Sequence, residues 1–180
     1  MVEYPKGPPL PSQVGQDVIA EMIGIAGRTP PGAFLEVGVF QGGTAWHLAQ
    51  LAASQGRELY LADTFTGIPY SSAIDSHKVG DFGGVDLKAL KQRLIGCRFI
   101  QGIFPQMHPD LPRLAFAHLD CDQYQSVTES ALFLIPLMKP GSIMWFDDSP
   151  CLESAKKATA EIFGDRLVLS ATGKHYVEFA

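Results

Sequence analysis

The chain has 180 residues, 46% of them hydrophobic and 18% charged, which is enough for one domain with a substantial core. Fourteen Lys and Arg against nineteen Asp and Glu give a net charge of −5, and without a basic run this argues against nucleic acid as the main partner. No apolar stretch is long enough to span a bilayer and no signal-peptide order opens the chain; Cys97, Cys121 and Cys151 have neither disulfide nor metal-site spacing, so a cytoplasmic protein away from membranes is expected.

Met1 to Pro11 carries Pro5, Pro8, Pro9 and Pro11 and reads as an extended arm outside the core. Ser12 is expected to cap a helix running to about Ala26, with Val14, Val18, Met22 and Ile25 on one stripe. Arm and helix form an N-terminal unit, 1–32, ahead of a main domain, 33–180. Ala33 to Val39 is an almost wholly apolar strand whose one charged member is Glu36. Gly38, Gly42 and Gly43 punctuate its exit, and Thr44 to Ala53 continues as a helix. Strand, glycine turn and helix N-terminus together make a cradle, because glycines admit close backbone approach and the first helical N–H groups are free to donate. A plain βα turn would look similar. Arg57 to Asp63 adds a second strand ending in an acid, the position that accepts ribose hydroxyls in nucleotide-binding βαβ units. The pair points to a ligand carrying an adenosine.

Thr64 to Gly84 is long and irregular, with Gly67-Ile-Pro69, a Ser-Ser pair, His77 and Gly83-Gly84, and is expected to be a lid. His77 lies on that lid, where a role close to substrate is weighed against, and ranked below, a solvated loop residue. Asp86 should cap a helix through Leu94, with Leu87, Leu90 and Leu94 inward; Arg98 to Gln101 is a third strand, followed by Gly102. Leu114 to Asp120 is a fourth strand, in which His118 reads as a satisfied core histidine, and Ser126 to Met138 a helix with Pro136 near its end. A turn at Pro140-Gly141 leads to a fifth strand, Ser142 to Asp147; Leu152 to Phe163 is helical, and Arg166–Ser170 with Lys174–Phe179 forms a terminal hairpin. Trp46 and Trp145 are assigned to the core, and Cys121 to a small buried position. The expected fold is α/β: a doubly wound, mostly parallel seven-stranded sheet with a C-terminal antiparallel hairpin. Glu36, Asp63, Asp120 and Asp147 then share the carboxyl edge, where such sheets bind ligands.

The acids cluster there. Asp120 and Asp122 flank Cys121, and Asp147-Asp148 end the next strand. Carboxylates brought together repel one another unless a positive group lies among them, and oxygen ligands without a Cys/His set favour Mg²⁺ over zinc. The plainer alternative is that these aspartates are solvated or cap the following helices.

Phe34-Leu-Glu-Val-Gly-Val-Phe-Gln-Gly-Gly-Thr44, Leu61-Ala-Asp-Thr-Phe-Thr-Gly-Ile-Pro69, Phe99-Ile-Gln-Gly-Ile-Phe-Pro105, Leu119-Asp-Cys-Asp-Gln-Tyr-Gln-Ser126 and Phe146-Asp-Asp148 occur in the order seen in the macrocin O-methyltransferase family. The chain resembles that family over about Phe34 to Phe163. These are Rossmann-like class I methyltransferases that use S-adenosylmethionine and Mg²⁺ to methylate sugar hydroxyls of macrolide and aminocoumarin antibiotics. The resemblance implies a small-molecule acceptor with a sugar-like hydroxyl, Asp120, Asp147 and Asp148 as metal ligands, and Asp122 as general base. It also implies a cofactor site of Glu36, Gly38, Gly42, Gly43, Thr44, Asp63, Thr64 and Gly102. A homo-oligomer is compatible with it.

Two departures bear on the acceptor: only a short arm and one helix precede the first strand, and Pro105-Gln-Met-His-Pro109 stands where the family tends to have Asp-Thr-Leu-Pro. Two other functions compete. A nicotinamide-dependent oxidoreductase would want Gly-x-Gly-x-x-Gly, which Glu36-x-Gly-x-x-x-Gly42 lacks, and has no use for the acid cluster. A non-catalytic module that binds an adenosyl ligand would keep the cradle and lose the acceptor pocket.

Overall fold

The computed structural model describes residues 3–180, so the first two residues of the expected arm lie outside it. Seven strands form one sheet in the order β3-β2-β1-β4-β5-β7-β6. These are β1 (Ala33–Val37), β2 (Leu59–Asp63), β3 (Arg98–Gln101), β4 (Leu114–Leu119), β5 (Met138–Phe146), β6 (Val168–Leu169) and β7 (His175–Glu178). The first five run parallel, while β7 runs antiparallel between β5 and β6. Every residue of β1 and β4 is buried, as the apolar runs require of strands covered on both faces.

Helices α1 (Gln16–Ala26), α2 (Gly43–Ser54), α3 (Leu87–Arg93), α4 (Tyr124–Leu134) and α5 (Glu153–Phe163) accompany the sheet. Alternation along the strands divides the core into two layers. Phe34, Phe116 and Trp145 pack in one with Met22, Leu48 and Leu90, and Leu35, Ala117 and Phe146 in the other with Val127, Ala158 and Phe163. Chain order reverses between β1 and β4, and the crevice opened by such a reversal is the usual ligand site.

Several local expectations need correcting. Ser12 does not cap α1, which begins at Gln16 behind Gly15; its hydroxyl instead accepts from Val14 N at 3.1 Å, turning the chain before the helix. The arm is extended but docked: Lys6 N donates to Arg93 O at 2.8 Å, Arg93 Nε returns to Lys6 O at 2.7 Å, and Leu10 packs on a core layer. Helix α4 starts two residues early, at Tyr124, and stops at Leu134, where a 3₁₀ turn carries Pro136, the residue without an N–H for an α-helical bond. Strand β5 starts at Met138 rather than Ser142, running through Pro140-Gly141 with a register shift against β4; Gly141, at φ +76°, donates to Phe179 O. Strand β6 keeps only two residues because Gly164–Arg166 coils into a 3₁₀ turn. Trp145 is fully buried, whereas Trp46 is only half-buried at the margin of a layer. From α1, Glu21 reaches the β6–β7 turn and accepts from Ala171 N at 2.7 Å and Thr172 N at 2.8 Å.

Candidate active site

A cleft of about 320 Å³ opens at the carboxyl edge, lined from β1, β2, β4, β5, the arm, the start of α2 and the Thr64–Gly84 segment. It lies at the lower end of the usual range for ligand pockets.

The β1 side is built on close backbone approach. Gly38 sits at φ +88°, and a Cβ there would fall 1.8 Å from Asp120 O, so only glycine lets the ends of β1 and β4 close up. Gly43 opens α2 against the arm, where a Cβ would meet Pro11 O at 2.4 Å. Thr44 is buried beside it, Oγ1 3.4 Å from Ser12 Oγ. Gly42, by contrast, does not line the cleft. Its missing Cβ would point at Leu10, Leu90 and Leu94, so the absence of a side chain there serves the turn and the packing behind it.

Asp63 lines the cleft but also braces the loop above it. Oδ2 accepts from Val39 N at 2.7 Å and Phe40 N at 2.9 Å, and Oδ1 from Phe65 N at 2.7 Å. The ribose contact expected of Asp63 would thus have to be shared with three backbone donors. Thr64 Oγ1 donates to Gly67 O at 2.7 Å, and Gly102 N to Asp63 O at 2.9 Å; both residues line the cleft.

Glu36 is buried, with Oε1 2.9 Å from His118 Nδ1 on the neighbouring strand. Burial pushes its carboxyl up, opposed by His118. His118 is thus partnered as expected of a core histidine, though only through one nitrogen. Glu36 Oε2 and His118 Nε2 have no partner among the described residues.

Opposite stand the acids. Asp120 follows β4, and Asp147-Asp148 follow β5; because these strands are parallel neighbours, one oxygen of each converges to within 4.8 Å of the others. All three are oxygen donors and no histidine or cysteine belongs to the set, which suits a hard cation. Burial, then the charges of Asp148, Asp147 and Asp122, raise Asp120 well above the ordinary carboxylate range; burial, then Asp147, lifts Asp148 to about 6. One positive group already lies among them: Lys174, just before β7, places Nζ 3.0 Å from Asp147 Oδ2 and donates also to Asp147 O. Burial lowers the lysine, but the Asp147 carboxylate outweighs it and the net shift is upward. Asp147 Oδ1 stays buried and unpartnered among the described residues.

Asp122 sits at φ +54°, an uncommon conformation for a non-glycine residue and one found at functional sites. Its N–H donates to Asp148 Oδ2 at 3.0 Å and its carbonyl accepts from Ser154 Oγ at 2.7 Å, which aims the side chain into the cleft beside the three acids. Burial, then Asp148 and Asp147, pushes its carboxyl up to about 8. Cys121 lies between, its thiol pushed up first by burial, with no role as a nucleophile.

The Thr64–Gly84 segment folds over this edge. Asp75 Oδ1 accepts from Tyr124 N at 2.8 Å and Gln123 Nε2 donates to Tyr70 O and His77 O, fastening the segment to the start of α4. His77 therefore lines the cleft, Nε2 3.6 Å from Asp122 Oδ1, with its side chain 31% exposed, which favours the lower-ranked reading of a residue close to the site. Lys174 and Gln123 are the residues that sequence reasoning missed as parts of the site, and His77 is the one it weighted toward solvent. A histidine within the long segment between two family-like blocks was the one available signal.

The profile of the family described as Macrocin-O-methyltransferase (TylF) matches residues 16–169. The chain is 32% identical over 139 residues to the 8-demethyl-8-(2,3-dimethoxy-alpha-L-rhamnosyl)-tetracenomycin-C 4'-O-methyltransferase of Streptomyces olivaceus, covering 66% of this chain and 53% of that protein. It thus spans about half the length of this curated relative. Among solved structures it is similar to the O-methyltransferase NovP, with a TM-score of 0.75 at 22% identity over 90% of this chain and 78% of that one. It is also similar to the calicheamicin methyltransferase CalS11, with a TM-score of 0.69 at 21% identity over 91% and 77%. At these identities the structural likeness speaks for the fold. The family match, in contrast, runs from α1 into β6 and takes in the glycine cradle and both acid-bearing strand ends: the chain belongs to the macrocin O-methyltransferase family.

Proposed function

We propose that this chain transfers the methyl group of S-adenosylmethionine to a hydroxyl of a sugar or another polyhydroxylated small molecule, with Mg²⁺ held by Asp120, Asp147 and Asp148. The observation that carries the reading is the convergence of three carboxylates to within 4.8 Å beside a glycine-built cleft. The residues present fit both groups. Oxygen donors with one buried atom unpartnered suit a hard cation, and Glu36 Oε2, buried and unpartnered on the β1 side, suits a positively charged ligand group. When bound, Mg²⁺ supplies positive charge that acidifies and positions a hydroxyl, and the sulfonium supplies an electrophilic methyl.

The protein's own contribution is placement and proton removal. Gly38 lets the ends of β1 and β4 close up, Gly43 lets the arm seat on the start of α2, and Asp63 holds the β1–α2 loop in shape, which together set the wall of the cleft against which the cofactor is placed. Asp122 takes the hydroxyl proton at its carboxylate. Its side chain lines the cleft beside the three carboxylates, where the hydroxyl would be held.

The test is calorimetry with S-adenosylmethionine and, as control, NAD, followed by methyl transfer to rhamnosides before and after chelation. Asp120→Asn and Asp148→Asn should bind S-adenosylmethionine normally and lose transfer. Full activity of the chelated wild type would remove the metal from the mechanism, and tight binding of NAD alone would replace the reaction class.

A further inference from the structure

Gln123 opens α4 directly behind Asp122 and is only 1% exposed, yet lines the cleft. Its amide can be oriented without ambiguity. Nε2 lies 3.0 Å from Tyr70 O and 3.1 Å from His77 O, and only the NH₂ end can donate to two carbonyls. Both carbonyls belong to the lid. The opposite end, Oε1, is therefore the free one, and it is buried without a partner among the described residues.

A buried carbonyl oxygen left unpaired costs about as much as a lost hydrogen bond, so native structures rarely leave one without a purpose. If lid support were its only task, the amide would be an expensive choice. Two other ties, Asp75 to Tyr124 N and Ser126 Oγ to Tyr70 OH, already fasten the same stretch. Neither of these ties leaves a buried acceptor without a partner, as the Gln123 amide does with Oε1.

We propose that Gln123 is a specificity-determining residue: Nε2 holds the lid while Oε1 accepts a hydrogen bond from a hydroxyl of the acceptor, a neighbour of the one being methylated. The proposal rests on the methyl-transfer reading above and deepens it. It selects acceptors with at least two hydroxyls, and it joins lid and acceptor through one planar amide, so that each favours the other in place.

The experiment uses the full chain and two variants, Gln123→Leu and Gln123→Met, which remove donor and acceptor in different shapes so that poor folding of one does not block the test. Calorimetry should give S-adenosylmethionine affinity within about twofold of wild type, since the amide does not serve that ligand. With S-adenosylhomocysteine bound, hydrogen exchange of residues 70–77 should be faster in both variants. The KM for methyl α-L-rhamnopyranoside should rise about tenfold, the size of one neutral hydrogen bond, with a smaller change in kcat. Unchanged exchange overturns the latch, and an unchanged KM overturns the acceptor contact. A wild type that binds S-adenosylmethionine but methylates no rhamnoside overturns the sugar-acceptor reading and the contact with it, whereas an active wild type matched by both variants overturns only the role of Gln123.

Discussion

Lys174→Met removes the one lysine or arginine that, among the described residues, pairs with these carboxylates. Its Nζ lies 3.0 Å from Asp147 Oδ2, with side chains 15% and 9% exposed, so the pair is largely out of water. At that distance and an effective dielectric near 20, the gross attraction is about 5 kcal/mol. Part of this offsets the cost of desolvating both ions, but deleting one partner leaves that cost in place, so a loss of about 3 kcal/mol is expected, at the lower end for breaking a buried pair. For a domain of this size that corresponds to a melting point lower by about 6–12 °C. The assay is thermal unfolding by circular dichroism in chelator and again in millimolar Mg²⁺. Because the variant leaves Asp120, Asp122, Asp147 and Asp148 without the lysine's charge, Mg²⁺ should raise its melting point by clearly more than it raises that of wild type. A variant that melts within about 2 °C of wild type in chelator would show that the pair contributes little to stability. Equal gains from Mg²⁺ in both proteins would refute the argument that lysine and metal answer the same charge.

Three further outcomes follow from the geometry. Asp122→Asn should lower methyl transfer by about 10²–10⁴-fold, the usual worth of a general base, while calorimetry finds S-adenosylmethionine binding intact; a smaller loss would hand proton removal to another group. Gly38→Ala sets a Cβ 1.8 Å from Asp120 O at φ +88°, so the soluble yield should collapse, or the protein should fold with no measurable cofactor affinity; a normal variant would show that the β1 and β4 ends need not meet. Iodoacetamide at about pH 8 should modify Cys151 alone in the native protein, since burial holds Cys97 at about 12 and lifts Cys121 as well. Mass spectrometry showing more than one adduct before denaturation would contradict that burial.

The features legible in the sequence were those with local causes. Asp86 caps α3 through its side chain on Ala89 N, and Arg98–Gln101 forms β3 at the expected bounds, because capping and apolar runs act over a few residues. The acid cluster could be read because two sequential strands each end in aspartate and parallel pairing brings those ends together. Where tertiary partners decide, local signals misled. Ser12 has the chemistry of a cap, yet its hydroxyl turns toward Val14 N and Thr44. Pro140-Gly141 has the composition of a turn, yet Phe179 O from a strand far along the chain holds it in the sheet. Lys174 and Asp147 are 27 residues apart and His77 and Asp122 still farther, and no spacing rule joins either pair.

The single reversed direction in the sheet has its own effect. Were β7 to run with its neighbours, it would bring its last residues to the carboxyl edge; running against β5, it brings its first, and Lys174 arrives beside the end of the strand that carries Asp147. Lysine placement is therefore set by registry. Moving β7 by one residue against β5 would carry Lys174 about 3.4 Å along the strand and turn its side chain to the other face. Insertions should consequently be tolerated between α5 and β6, where the chain is exposed at Gly164, Asp165 and Arg166, but not in the step from Ser170 to Lys174, whose length fixes where the cation lands.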